Sequence, residues 1–193
     1  TTFHNMFACN GILFNHESPR RGPTFVTRKI TKGVAMLKRF LEKGKKPIPL
    51  QLGNLESKRD WGHAQDYIEG IWRMVNQQEF NPNFESPKDY IIATGETHTI
   101  REFLEKAMTR AEIIFKQSDT TVEGQKVEYF NPETGDPLVC INPKYFRPAE
   151  VNILLGSPSA IEKDLNWTRK VSFDDLVKRM VDRDLELVQN FSS

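Results

Sequence analysis

Neither a dominant charge nor a long apolar run is present in this chain of 193 residues. Lys plus Arg number 27 against 26 Asp plus Glu, a formal charge of +1, so nothing in the balance calls for a nucleic-acid partner. No apolar stretch approaches the roughly 20 residues needed to cross a bilayer. The opening "TTFHNMFACN" also carries no charged leader ahead of a long apolar core, so neither a membrane nor a secretory destination is expected. Only two cysteines occur, Cys9 and Cys140, each inside an apolar run. Two such residues make neither a disulfide framework nor a metal site; both read as core positions, in keeping with a reducing, cytoplasmic setting. The four histidines, His4, His16, His63 and His98, lack ligand-like spacing, and no metal is expected. The chain begins abruptly, running from Thr1 almost straight into an apolar segment, as though a longer polypeptide were entered part way through.

What is present is an ordinary soluble composition, 38% hydrophobic, with alternating element types and no internal repeat. "MFACNGILF" reads as a strand buried on both faces. Ile30, Val34, Leu37 and Leu41 recur at helical spacing from Thr27 until Gly44 and Pro47 end the helix. "IPLQLGNL" and "DYIIAT" read as strands. "AQDYIEGIWRMVNQ" reads as a helix with Ile68, Ile71, Trp72 and Val75 on its apolar face, and Asn81 to Pro87 as a loop. Thr99 and Glu102 predict a capping box ahead of "IREFLEKAMTRA". "VEGQKVEYF" and "DPLVCIN" flank "NPETG" as a hairpin; Ser157-Pro158 and Ser172 with Asp175 start two closing helices. Strands alternating with helices predict an α/β fold with a mostly parallel sheet, and the hairpin and last helices an appended lobe.

Three patches carry candidate chemistry. In "FNHESPRRGPTFVTRK", an Asn-His pair at a strand end precedes Arg20, Arg21, Arg28 and Lys29 around a Pro/Gly loop. Converging guanidinium groups suit a phosphorylated ligand, because they meet phosphate oxygens in bidentate geometry; a solvated basic loop is the alternative. In "ESKRDWGHAQDY", Arg59 could reach a phosphate while Asp60 or Asp66 fixes local geometry; otherwise it is a surface ion pair. In "YFRPAEVN", Pro148 holds Arg147 extended, and Arg147 with Glu150 could take a diphosphate and a sugar diol, or pair with each other.

Taken in order, "NGILFNHESPRRG", "FVTRKI", "LGNLESKRDWGHAQDYIEGIW", "YIIATGETHTIREF", "YFRPAEVNILLG" and "LNWTRKVSFDDLV" resemble the carboxy-terminal half of the GDP-mannose 4,6-dehydratases, members of the extended short-chain dehydrogenase/reductases. The resemblance covers nearly the whole chain. It implies the carboxy-terminal part of a Rossmann-like fold, with residues 7–15 and 90–94 as strands of the nucleotide-binding sheet and most of 24–60 and 97–193 as a small substrate lobe. It implies NADP as cofactor, GDP-mannose as substrate, and a homo-oligomer, dimer or tetramer. The reaction implied is oxidation at carbon 4, loss of water across carbons 5 and 6, and return of the hydride to carbon 6, giving GDP-4-keto-6-deoxymannose. In the family, the residue matching Asn15 lies against the substrate, those matching His16 and Arg21 border the cofactor, and those matching Lys29, Arg59, Arg147 and Glu150 hold the GDP moiety.

The departures matter equally. No Gly-x-x-Gly-x-x-Gly turn occurs, and no Tyr-x-x-x-Lys: Tyr67, Tyr90, Tyr129 and Tyr145 are followed four positions on by Ile71, Thr94, Glu133 and Ala149. The catalytic set is therefore expected upstream, none of it in this chain, and the chain alone is expected to be inactive. Two other readings stay open. One is a related GDP-sugar reductase or epimerase, against which "NHESPRRG" speaks. The other is a non-catalytic nucleotide-sugar-binding module.

Overall fold

In the computed structural model, which describes residues 7–146, 151 and 153–190, strands and helices alternate through the first half of the chain. They are β1 (Gly11–Leu13), β2 (Asn15–Glu17), α1 (Val26–Glu42), β3 (Leu50–Leu52), β4 (Lys58–Arg59), β5 (Trp61–His63), α2 (Ala64–Val75), the short α3 (Gln77–Phe80) and β6 (Tyr90–Ile92). There follow β7 (His98–Thr99), α4 (Ile100–Arg110), β8 (Lys116–Gln117), β9 (Thr121–Val122), β10 (Gln125–Phe130) and β11 (Pro137–Ile141). A 3-10 turn (Pro143–Tyr145), β12 (Ile153–Leu154), α5 (Ser159–Leu165) and α6 (Phe173–Asn190) complete the order. This is the mixed α/β class that the alternation predicts. The chain divides into two compact units, one of Thr1–Ser18, Arg59–His98 and Ile153–Leu176, the other of Pro19–Lys58, Thr99–Asn152 and Val177–Ser193.

The first unit is built on parallel strand pairs. β1 runs beside β6 in the register Gly11↔Tyr90 to Leu13↔Ile92, and β2 beside β5 in the register Asn15↔Trp61 to Glu17↔His63. The single strand expected over 7–15 is thus divided: at Phe14, whose amide still reaches the Ile92 carbonyl at 3.0 Å, the chain changes partner from β6 to β5. Tyr67 and Met74 of α2, Tyr90 and Ile92 of β6, and Ile161, Leu165 and Trp167 form the core. The face of α2 that buries is therefore not the one its apolar spacing suggests. Asp66, Tyr67, Gly70 and Met74 turn inward, whereas Ile68, Trp72 and Val75 lie exposed. Gly70 explains the choice, since a Cβ there would meet Ile92 at 3.0 Å and the Trp167 indole nitrogen at 3.2 Å. The helix packs where its backbone can approach most closely, and a small residue marks that face better than a large apolar one.

The second unit carries a five-stranded sheet in the order β3-β11-β10-β8, with β9 also on β10. β10 and β11 form the expected antiparallel hairpin, whose loop is closed by Gly135 N–H to the Asn131 carbonyl at 2.8 Å. β3 adds in parallel to β11 (Leu50↔Val139). α1 buries Ile30, Val34 and Leu37 as its periodicity predicts, with Leu41 half-buried. α4 opens with the predicted capping box: the Thr99 hydroxyl accepts from the Glu102 amide at 2.9 Å and the Glu102 carboxylate from the Thr99 amide at 3.1 Å. Of the two cysteines, Cys140 is buried and Cys9 partly so.

Candidate functional site

In the first unit, the parallel pairing of β2 with β5 places Asn15 opposite Trp61, two residues beyond Arg59. His16, next on β2, has Nδ1 2.9 Å from the Phe14 carbonyl, and its ring lies 5.3 Å from that of Tyr67 at a tilt of 33°. A carbonyl only accepts, so Nδ1 carries a proton and donates it there. The Tyr67 hydroxyl beside it is buried with no hydrogen-bond partner among the described residues. Burial, reinforced by the Asp60 and Glu17 carboxylates, pushes this phenol well above its ordinary range, so it remains a neutral donor.

Arg59 ends β4 and is followed by Asp60, only 1% exposed. Asp60 Oδ1 accepts from the Thr94 amide at 2.9 Å and the Thr94 hydroxyl at 2.7 Å; Oδ2 accepts from the amides of Gly95 at 3.2 Å and Gly156 at 3.3 Å. Its own amide donates to the Leu154 carbonyl at 3.0 Å. The carboxylate is fully occupied in joining two loops, so its role is to fix the backbone that carries Arg59. Asp66 works similarly, accepting the amides of Lys170 and Val171 at 3.0 Å each. Both carboxylates therefore fix local geometry.

In the second unit, the loop after Ser18 leads into α1. The Arg21 guanidinium stands 3.6 Å over the Phe25 ring, and the Lys29 ammonium 3.4 Å over the Tyr145 ring. Arg28 departs from the cation cluster that the sequence suggests. It turns inward to Asp184, with NH2 to Oδ1 at 2.7 Å. Sequence reading passes over Asp184, although α6 offered a signal: the residue continues the buried stripe of Val177, Met180 and Val181, where an apolar side chain is expected. Asn15, His16 and Arg59 belong to one unit and Arg21 and Lys29 to the other. Arg147 and Glu150 lie outside the described residues. A cavity of about 360 Å³ in the second unit, lined among others by Lys38, Arg39, Glu42, Arg110, Leu185 and Val188, contains none of the site residues expected from the sequence. Among the described residues, no cluster of three or more His, Cys, Asp or Glu could hold a metal ion, and no helix is long and apolar enough to cross a membrane.

Parallel strand pairs alternating with helices define a Rossmann-like α/β class. Solved structures of that class have the same fold. RMD from Pseudomonas aeruginosa complexed with NADPH aligns with a TM-score of 0.66 at 16% identity, over 92% of this chain and 48% of that one. Epimerase Mth375 from Methanothermobacter thermautotrophicus gives 0.66 at 19% identity, over 98% and 47%. Within that class, the chain belongs to the GDP-mannose 4,6-dehydratase family, whose sequence model matches residues 2–180. It is 51% identical over 187 residues to the GDP-mannose 4,6 dehydratase of Dictyostelium discoideum, covering 97% of this chain and 48% of the relative. Identity to the Drosophila melanogaster enzyme is 50% over 190 residues (96% and 43%), and to the Homo sapiens enzyme 44% over 188 residues (96% and 46%). The chain spans about half the length of the curated relatives it matches.

Proposed function

We propose that this chain is the substrate-binding part of an NADP-dependent GDP-mannose 4,6-dehydratase, a hydro-lyase that forms GDP-4-keto-6-deoxymannose. The observation that carries the reading is the Asp60 junction. A buried carboxylate with four donors holds Arg59 at a strand end two residues from the level of Asn15, inside a chain 51% identical to a GDP-mannose 4,6 dehydratase. Arg59, Lys29 and Arg147 supply cations for the two phosphates, and Glu150 accepts from the ribose diol. Asn15 lies against the sugar.

The residues on the cofactor side fit NADP. Arg21 supplies a guanidinium for a phosphate, the His16 ring is oriented by its Nδ1–H bond to the Phe14 carbonyl, and the buried Tyr67 hydroxyl next to it is a donor awaiting an acceptor. When bound, NADP supplies the hydride acceptor and donor for the sugar. This chain's residues bind and orient; the proton-transferring groups are assigned upstream. A homo-oligomer in the cytoplasm is part of the same proposal.

The test is calorimetric titration of the intact polypeptide. Arg59→Ala and Arg147→Ala each remove charge-assisted bonds of about 1.5 to 3 kcal/mol and are expected to weaken GDP binding roughly tenfold to a hundredfold. His16→Ala combined with Arg21→Ala is expected to weaken NADP more than GDP-mannose. Unchanged GDP affinity in Arg59→Ala and Arg147→Ala would refute the first assignment, and equal losses for the two ligands the second.

The absence of a Tyr-x-x-x-Lys in this sequence keeps a second reading, a non-catalytic nucleotide-sugar-binding module. NADP-dependent turnover of GDP-mannose by the intact polypeptide separates the two.

A further inference from the structure

We propose that Arg28 and Asp184 are positioning residues that set the loop carrying Arg21, and so govern cofactor affinity through a contact neither makes itself. The proposal rests on the reading of Arg21 as a cofactor residue. Asp184 on α6 is 1% exposed, and the Arg28 side chain 11%. Arg28 Nε donates to both carboxylate oxygens, at 3.1 and 2.9 Å, and NH2 to Oδ1 at 2.7 Å; the Thr31 hydroxyl donates to Oδ2 at 2.6 Å. With one edge of the guanidinium locked on the carboxylate, NH1 is aimed at the loop, where it donates to the carbonyls of Pro19 and Arg21, the latter at 3.3 Å.

The chemistry of the pair argues for more than stability. A buried ion pair is weak evidence of net stabilisation, since apolar residues of similar volume often do as well. What an apolar pair cannot do is hold two loop carbonyls in the plane of a carboxylate on another helix, which needs the rigid five-donor fork of arginine. Within the loop, Pro19 has no amide to donate, and Phe25 N–H donates to the Gly22 carbonyl at 3.2 Å. Because NH1 holds the carbonyl of Arg21 itself, the direction in which the Arg21 side chain leaves the backbone, and its stacking on Phe25, follow from the Asp184–Arg28 geometry.

The test is a double-mutant cycle in the intact polypeptide, reading NADPH and GDP-mannose affinities separately. Asp184→Asn is expected to weaken NADPH about tenfold with GDP-mannose changed less than about twofold, and to cause no further loss in an Arg21→Ala background, because it acts through Arg21. A merely structural role would weaken both ligands together. Loss of NADPH affinity in Arg21→Ala but none in Asp184→Asn, or an equal loss from Asp184→Asn in both backgrounds, would overturn the proposal alone. No loss in Arg21→Ala would instead remove the cofactor reading, and the proposal with it. If Asp184→Asn does not fold, Arg28→Lys serves, since it keeps a buried charge opposite Asp184 but loses the fork to the carbonyls. The same selective, Arg21-dependent loss is expected, and an Arg28→Lys protein with unaltered NADPH affinity would count against the clamp.

Discussion

Glu96 illustrates how a single side chain in the first unit couples charge to stability. Its Oε1 accepts from Arg169 NH1 at 2.5 Å and lies 3.2 Å from His98 Nε2. The Arg169 hydrogen bond is the main cause that brings its pKa down to about 2, with His98 adding to it. A carboxylate held below its unfolded value of about 4.3 contributes stability that is complete above that pH and disappears as pH falls toward 2. The Glu96 side chain is 39% exposed, so solvent screening keeps the contribution to about 1 kcal/mol or less. Arg169→Met is therefore expected to lower the urea midpoint at pH 6, with the deficit closing between about pH 4.5 and 2. A deficit constant across that window would exclude the pair as its source. That an aspartate beside Arg59 would fix local geometry was legible from sequence, because a carboxylate next to a strand end has backbone amides within reach. That Asp60 would spend both oxygens on Thr94, Gly95 and Gly156 was not, because those partners lie 34 to 96 positions away.

Among the elements, the caps and the hairpin were legible from local signals; the buried face of α2, the burial of β1 (Ile12 is 57% exposed) and the distant pairings were not. The capping box at Thr99 and Glu102 depends on four consecutive residues and is present as expected. The buried face of α2 depends on which surface Ile92 and Trp167 offer, and there Gly70 outweighed Ile68, Trp72 and Val75. β8 and β9 are two residues each, too short for alternation to register, and exist because β10 offers an edge. The parallel addition of β3 to β11 joins residues nearly ninety positions apart, Leu50 with Val139, and no local pattern announces it. Gly53, just beyond β3, belongs to this contact. A Cβ there would stand 2.5 Å from the Tyr145 carbonyl oxygen and 2.9 Å from its carbon, both backbone atoms that cannot rotate away. Gly53→Ala is expected to push the Pro143–Tyr145 turn off the strand, straining the Asn142 amide bond to the Leu52 carbonyl (2.8 Å) and the Lys29–Tyr145 stack, at a cost of about 1 to 3 kcal/mol. Thermal unfolding reads it, and an unchanged midpoint would mean that the turn yields without loss.

For the whole molecule, the decisive question on the proposed reading is where the proton and hydride chemistry resides. Three buried carboxylates are engaged within the fold: Asp60 by backbone amides and the Thr94 hydroxyl, Asp66 by backbone amides, and Asp184 by Arg28 and Thr31. Three of the tyrosines are poorly placed to act as bases. Burial raises Tyr67 and Tyr129 far above neutrality, and burial beside Asp164 pushes Tyr90 up to about 12. A tyrosine that must lose its proton near pH 7 needs the opposite shift, such as the lysine of a Tyr-x-x-x-Lys pair provides, and no Tyr-x-x-x-Lys occurs in these 193 residues. Holding reactants within about 3 to 3.5 Å can account for roughly 7 to 11 kcal/mol of a barrier, and the Gly-rich turn that does this for a dinucleotide is likewise not in the sequence. These 193 residues, purified alone and confirmed by intact mass at 22.3 kDa, are therefore expected to convert no GDP-mannose with NADP added, and to gain activity when the upstream half of a family member is supplied in trans. Accumulation of the 4-keto-6-deoxy product from the 22.3 kDa species alone would place catalytic groups inside this chain and overturn the assignment.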